Sequence, residues 1–93
     1  MNIELKKFGT ILISRPAGKE AFAAAKAYLL PKEAETNEMT IDFAGVEVLS
    51  PSWADEFISG LKGFYRNLNI YYVHTDNPSV KETIEILSPA HPA

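Results

Sequence analysis

Cysteine is absent from the 93-residue sequence. The chain therefore cannot form a disulfide framework, a zinc site with cysteine ligands or a thiol nucleophile. A chain without cysteine fits a reducing compartment, and we expect a cytoplasmic protein.

The sequence also lacks an excess of basic charge. Lys and Arg number 9 against 12 Asp and Glu, which gives a net charge of −3. Proteins that hold nucleic acid or anionic lipid by electrostatic attraction carry the opposite balance. We therefore expect neither nucleic acid nor a membrane as a partner.

Long hydrophobic runs are missing as well. No apolar segment approaches the roughly 20 residues that span a bilayer, and the first residues lack the apolar core of a signal peptide. Hydrophobic residues make up 46% of the chain and charged residues 23%, which is typical of folded globular proteins. This length predicts one domain over residues 1–88, followed by a flexible C-terminal tail at 89–93.

The common catalytic motifs are absent too. The sequence has no P-loop, no dinucleotide-binding glycine motif, no nucleophile elbow and no H-E-x-x-H zinc motif. His, Asp and Glu also lack a spacing typical of metal ligands. We therefore predict a protein without enzymatic activity, metal or cofactor.

Hydrophobic periodicity predicts an α/β fold in the order β-β-α-β-α-β-α. Alternation around Ile3 and the run 11–13 predict two strands joined as a hairpin, while 46–49 is predicted as a loop. The other predicted elements are strands at 39–43 and 70–73 and helices beginning near 14–16, 50–52 and 79. This order implies a mixed four-stranded sheet packed against three helices.

The second predicted helix has two candidate N-caps. Ser50 would place Pro51 at the first helical position, whereas Ser52 would accept a hydrogen bond from the N–H of Asp55 in a capping box. We favour the second register. Ser79 and Glu82 show the same capping-box spacing at the start of the third helix.

Candidate functional residues follow the ends of the predicted strands. Ligands and partners meet the loops at the carboxyl ends of parallel strands, and here these loops are 14–16, 44–52 and 74–79. They bring Arg15, Asp42, Ser52 and His74 to one edge. Arg15 has three alternatives: it pairs with Asp42, pairs with Asp55 or lies in solvent.

Two chemical interpretations of this edge remain open. Ser52, His74 and Asp42 are the residue types of a hydrolytic triad, although His74 more ordinarily ends a strand and makes a local hydrogen bond. A phosphoryl group on Ser52 would meet the positive end of a helix dipole and the negative charges of Asp55 and Glu56, a conflict that could act as a switch.

Trp53 also allows two interpretations. It is in helical phase with Phe57 and Leu61, which is typical of a core residue. Alternatively, it is an exposed aromatic anchor for a partner protein.

The segment Ile41–Phe57, IDFAGVEVLSPSWADEF, resembles the STAS superfamily. That superfamily includes bacterial anti-sigma-factor antagonists and the cytoplasmic domains of sulfate transporters. The pattern D-F-x-x-V, a serine-containing loop, an aromatic residue and A-D-E-F is most similar to a bacterial STAS-like family of unknown function. Residues 13–15 and 77–81 are similar to the turns before the first and last helices of STAS domains.

In anti-sigma-factor antagonists, the loop before the second helix carries a serine that a partner kinase phosphorylates. The resemblance places Ser52 at that position, with S-P-S-W at 50–53 where those regulators have an acidic residue and then Ser-Ser-Gly. It implies a regulatory module that binds a protein such as a kinase-like ATPase through Arg15, residues 45–56 and residues 74–77. A homodimer is a further possibility.

Overall fold

The computed structural model describes residues 1–33 and 36–87. Its five strands are β1 (Asn2–Glu4), β2 (Ile11–Leu12), β3 (Glu38–Asp42), β4 (Val48–Leu49) and β5 (Asn69–Val73). Its helices are α1 (Arg15–Tyr28), α2 (Pro51–Phe64) and α3 (Pro78–Leu87), and a short 3₁₀ helix covers Leu5–Phe8. The predicted tail at 89–93 lies outside the described residues.

The strands form two parallel sheets, so the prediction of one four-stranded sheet is wrong. The first sheet has the order β1-β3-β5 and the second pairs β2 with β4. In the first, Ile3 pairs with Ile41, which pairs with Tyr72. In the second, Ile11 pairs with Val48. The carboxyl ends of parallel strands therefore lie at a common edge within each sheet.

The predicted hairpin between the first two strands is also wrong. The 3₁₀ helix Leu5–Phe8 buries Leu5 and half-buries Phe8, and this i, i+3 spacing is that of one 3₁₀ turn. Gly9 then continues the chain at φ 130, a conformation that favours glycine. The strand predicted from the alternation around Ile3 is therefore present, but it ends at Glu4.

The 46–49 segment is not a loop throughout, because Val48–Leu49 forms β4. The backbone N–H groups of Val48 and Ser50 donate to the carbonyls of Thr10 and Leu12 at 3.1 and 2.9 Å. A two-residue strand has too short a pattern to be distinguished from a loop by periodicity.

Helices α1 and α2 pack closely at two glycines. A Cβ on Gly18 of α1 would lie 2.5 Å from the carbonyl oxygen of Trp53. A Cβ on Gly60 of α2 would lie 2.6 Å from the ring of Phe22. The absence of a side chain at both positions lets the two helices approach each other.

Helix α2 provides several of the largest buried side chains. Trp53, Phe57 and Leu61 are each at most 2% exposed, as their helical spacing predicts. The Trp53 and Phe57 rings stack with centroids 5.1 Å apart. The strands contribute Ile3, Met39 and Ile41 to the same buried core as this helix. No described helix has the length and apolar composition required to cross a membrane.

Prolines set the starts of α2 and α3. Ser50 is the N-cap of α2 and its hydroxyl accepts from the N–H of Trp53 at 3.2 Å, so the favoured Ser52 register is wrong. A residue that precedes proline is pushed to the extended conformation that an N-cap requires, and Ser50 adopts it at φ −90 and ψ 150. The capping prediction for Ser79 is wrong for the same reason, because Asn77 precedes Pro78 and accepts from the N–H groups of residues 79 and 80.

Candidate functional site

Helix α3 and the residue before it, Asn77, hold the loop that leads into α2. The side-chain amide of Asn77 donates to the carbonyl of Glu47 at 3.1 Å. The Ser79 hydroxyl accepts from the Leu49 N–H at 3.0 Å and donates to the Leu49 carbonyl at 3.3 Å. Thr83 donates to the same carbonyl at 2.6 Å. Side chains of α3 thus occupy the edge of β4 that β2 leaves open.

The two serines of this loop lie side by side at the N-terminus of α2. The Ser50 and Ser52 hydroxyl oxygens are 3.3 Å apart. Ser52 is the second residue of the helix and is half-buried. Its hydroxyl therefore lies at the positive end of the helix dipole, without being the cap.

Arg15 joins the starts of α1 and α2. One guanidinium nitrogen donates to Asp55 Oδ2 at 2.9 Å and to Glu56 Oε1 at 3.0 Å. Asp55 also accepts from the Ser59 hydroxyl at 3.3 Å. The hydrogen bond from Arg15, and secondarily the one from Ser59, lowers the pKa of Asp55. Of the three alternatives for Arg15, the structure shows pairing with Asp55 and adds Glu56.

The Arg15 guanidinium remains accessible while it makes these contacts, since its side chain is 54% exposed. The residue before it, Ser14, has φ 77, a conformation that few residues other than glycine adopt. Its hydroxyl accepts from the Ala17 N–H at 3.3 Å and so caps α1.

Asp42 and His74 join the ends of β3 and β5. Asp42 Oδ1 accepts from the backbone N–H of Ala44 at 2.9 Å and lies 2.7 Å from His74 Nδ1. The Ala44 N–H, and then the His74 hydrogen bond, lowers the pKa of Asp42. His74 has φ 57 and a side chain that is 65% exposed. The imidazole is therefore fixed on one side by Asp42 and open to solvent on the other.

The described residues do not assemble a Ser–His–Asp triad. The His–Asp half is present, but the Ser52 hydroxyl pairs with Ser50 and no hydrogen bond joins it to His74 within residues 1–33 and 36–87. The structure likewise brings Arg15 to Asp55 and Glu56 and not to Asp42.

Trp53 lies in the core and not at the surface. It is 2% exposed and contacts the rings of Phe8 and Phe57. Its side chain is therefore not an exposed aromatic anchor on the surface of the loop.

The sequence predicted Asn77 at this edge but not its hydrogen bond to Glu47, and it did not indicate the contributions of Ser79 and Thr83. Ser79 and Thr83 are four residues apart, so a helix places their hydroxyls on the same face. That spacing was a usable signal, but it does not say which backbone the hydroxyls will contact.

Residues 26–80 match the family described as STAS-like domain of unknown function (DUF4325). The chain belongs to this family. The match extends from α1 to the first turn of α3, and includes Asp42, the whole loop before α2 and His74. The resemblance to STAS-like proteins is therefore confirmed, and the three helices with parallel strands fit that fold. No curated protein and no solved structure gave a significant match.

Proposed function

We propose that this STAS-like domain is a non-enzymatic module that binds a signalling protein. The contact surface is formed by Arg15, residues 45–56 and residues 74–77, and we call it the loop edge. Trp53 supports this surface from within and does not itself touch the partner.

The observation that carries the proposal is the way α3 fixes the backbone of the loop. Asn77, Ser79 and Thr83 hold the backbone polar groups of Glu47 and Leu49, and the Ser50 cap holds the next turn. A surface that is already ordered loses less conformational entropy when it binds. The loop edge is therefore suited to recognition by a protein.

The charges of the loop edge give it specificity. Arg15 lies between two carboxylates and remains half-exposed, so a partner can add charged hydrogen bonds without first breaking these. Asp42 and His74 add a second pair at the ends of β3 and β5. Charge patterns of this kind select among partners more than they raise affinity. A kinase-like ATPase is the partner class that the resemblance to anti-sigma-factor antagonists favours.

Ser52 is the residue that we propose for regulation. A phosphoryl group there would carry a charge of about −1.5 to −2 near the carboxylates of Asp55 and Glu56. Arg15 compensates both carboxylates, so phosphorylation would draw the guanidinium away from them. The change would rearrange the charges that the partner recognises.

A photo-crosslinking residue in place of the exposed Glu47 tests the proposal in the native cells. We expect it to capture one specific protein, whereas the same residue in place of the exposed Lys26 of α1 does not. The substitution Ser52→Glu should reduce capture by about tenfold, and Ser52→Ala should leave it unchanged. Equal capture from both positions, or capture that ignores Ser52→Glu, would contradict the proposal.

A second candidate is a small-ligand sensor or unconventional hydrolase, which the 2.7 Å contact between Asp42 and His74 favours. A thermal-shift screen against metabolite classes separates it from the first. A ligand present at 100 times its Kd would add about 2.7 kcal/mol of stability, and His74→Asn should abolish that gain. If no metabolite stabilises the wild type, the second candidate is lost.

A further inference from the structure

A separate apolar groove of about 290 Å³ runs beside β2. One wall is a stripe of α1 formed by Ala17, Glu20, Ala21 and Ala24, whose spacing places them on a single helical face. The other wall is β2. We call this feature the β2 groove.

The β2 groove lies along the edge of β2 that faces away from β4. Ile11 and Leu12 both line it, although neighbouring side chains of a strand point to opposite faces. A position alongside the strand accounts for contact with both residues, and no residue of β4 lines the groove. No other strand pairs with this edge in the part of the chain that the structure describes.

The backbone of this edge is available for pairing. The carbonyls of Thr10 and Leu12 accept hydrogen bonds from the β4 side. Backbone groups of alternate residues point to opposite edges, so the N–H and C=O groups of Ile11 and Ile13 point away from β4. An open edge of this kind is a template for an added strand.

The side chains around the groove are apolar. Ile11, which lines the groove, is 59% exposed, and the small alanine side chains of the α1 stripe leave room beside it. Ile13 is 51% exposed and follows directly after β2. Trp53 and Phe8 also line the groove. Glu20 is its one ionisable lining residue among those described, so a complementary ligand carries a basic side chain at that point.

We propose that the β2 groove binds an extended segment of a partner protein as an added strand on β2. The segment alternates apolar side chains, which enter the groove, with outward-facing residues, and it carries one Lys or Arg that meets Glu20. Apart from Trp53, which is only 2% exposed, the residues that line this groove lie outside the loop edge, so the two proposals stand or fall separately.

The probe is a phage-displayed library of random peptides of about ten residues, selected on the full chain. Enriched sequences should alternate apolar and other residues, as a strand requires, and contain a Lys or Arg. A synthetic peptide from the selection should shift the amide NMR signals of Ile11 and Ile13. In an added strand, every second peptide amide faces β2. N-methylation of these amides should weaken binding about tenfold, whereas N-methylation of the amides between them should be tolerated.

Two matched pairs of protein variants locate the site. Ala24→Phe should fill the groove and weaken binding about tenfold, whereas Ala23→Phe, at an exposed position on the same helix outside the groove, should not. Glu20→Lys should weaken binding of the basic peptide, whereas Glu82→Lys on α3 should not. The Glu20 pair tests the site even if the larger substitution at residue 24 disturbs folding.

Three outcomes would overturn the inference. They are a library that yields no binding peptide, chemical-shift changes confined to another surface, and binding that responds equally to the groove variants and their controls. A peptide whose changes map to the loop edge would support the proposed function and reject the β2 groove.

Discussion

At the scale of single residues, Asp42 links the ends of two strands and one loop through hydrogen bonds to Ala44 and His74. Its pKa is lowered in the folded protein. Folding stability from such a carboxylate is present above its unfolded pKa of about 3.9 and is lost as the pH falls through the lower folded value.

We expect Asp42→Asn to lower stability at neutral pH and to remove part of the acid dependence below about pH 4. Chemical denaturation over a pH series would measure this, with the exposed Asp76→Asn as a control. Carboxyl NMR in His74→Asn should show the Asp42 pKa rising only partly, because the Ala44 N–H is the larger cause. A full return to the ordinary value would assign the shift to His74 instead.

Two single residues, Arg15 and Ser52, also show which contacts could not be predicted from the sequence. Arg15 was correctly placed at the start of a helix, but Asp42, Asp55 and solvent remained as alternatives, because its partner depended on how α1 crosses α2. That crossing depends on the close approach at Gly18, which a pattern of apolar residues does not reveal. Ser52 was expected to cap α2, but Pro51 makes Ser50 the cap and places Ser52 inside the first turn of the helix.

At the scale of elements, the start of α2 distinguishes these two serines. Ser50→Ala removes the cap hydrogen bond to the Trp53 N–H and should cost about 0.5–2 kcal/mol of unfolding free energy. Ser52→Ala removes only the contact with Ser50 and should cost less. Urea denaturation measures the unfolding free energy of both variants. A larger loss for Ser52→Ala than for Ser50→Ala would instead support Ser52 as the N-cap.

Two glycines of α1 and α2 should respond in opposite ways to replacement by alanine. Gly18→Ala places a Cβ 2.5 Å from the Trp53 carbonyl oxygen, so the helices must move apart at a cost of about 1–3 kcal/mol. Gly63→Ala meets no atom within 4 Å and should stabilise α2 by about 0.5–1 kcal/mol. Opposite changes in the urea midpoint are expected. Destabilisation by both variants would show that helix propensity does not govern position 63.

At the scale of the whole molecule, the sequence allowed the number and order of the helices and the deep burial of α2 to be predicted. These features depend on periodicity and proline positions within a short window. The division into two parallel sheets depends on pairings between distant segments, such as Ile3 with Ile41. Two-residue strands carry too little pattern to specify such a pairing, so β4 and the true partner of β2 could not be predicted.

The connection from α3 to the loop edge joins segments that are 30 residues apart in sequence, and it can be tested by amide hydrogen exchange. The Leu49 N–H donates to the Ser79 hydroxyl, whereas the Val48 N–H donates to Thr10 on the opposite edge of β4. Ser79→Ala should accelerate exchange at Leu49 by about tenfold or more and change Val48 less, since local opening exposes only the amide that has lost its partner. Equal acceleration at both amides would mean that α3 stabilises the whole fold rather than ordering this loop, and the loop edge would then not be held ready for binding by α3.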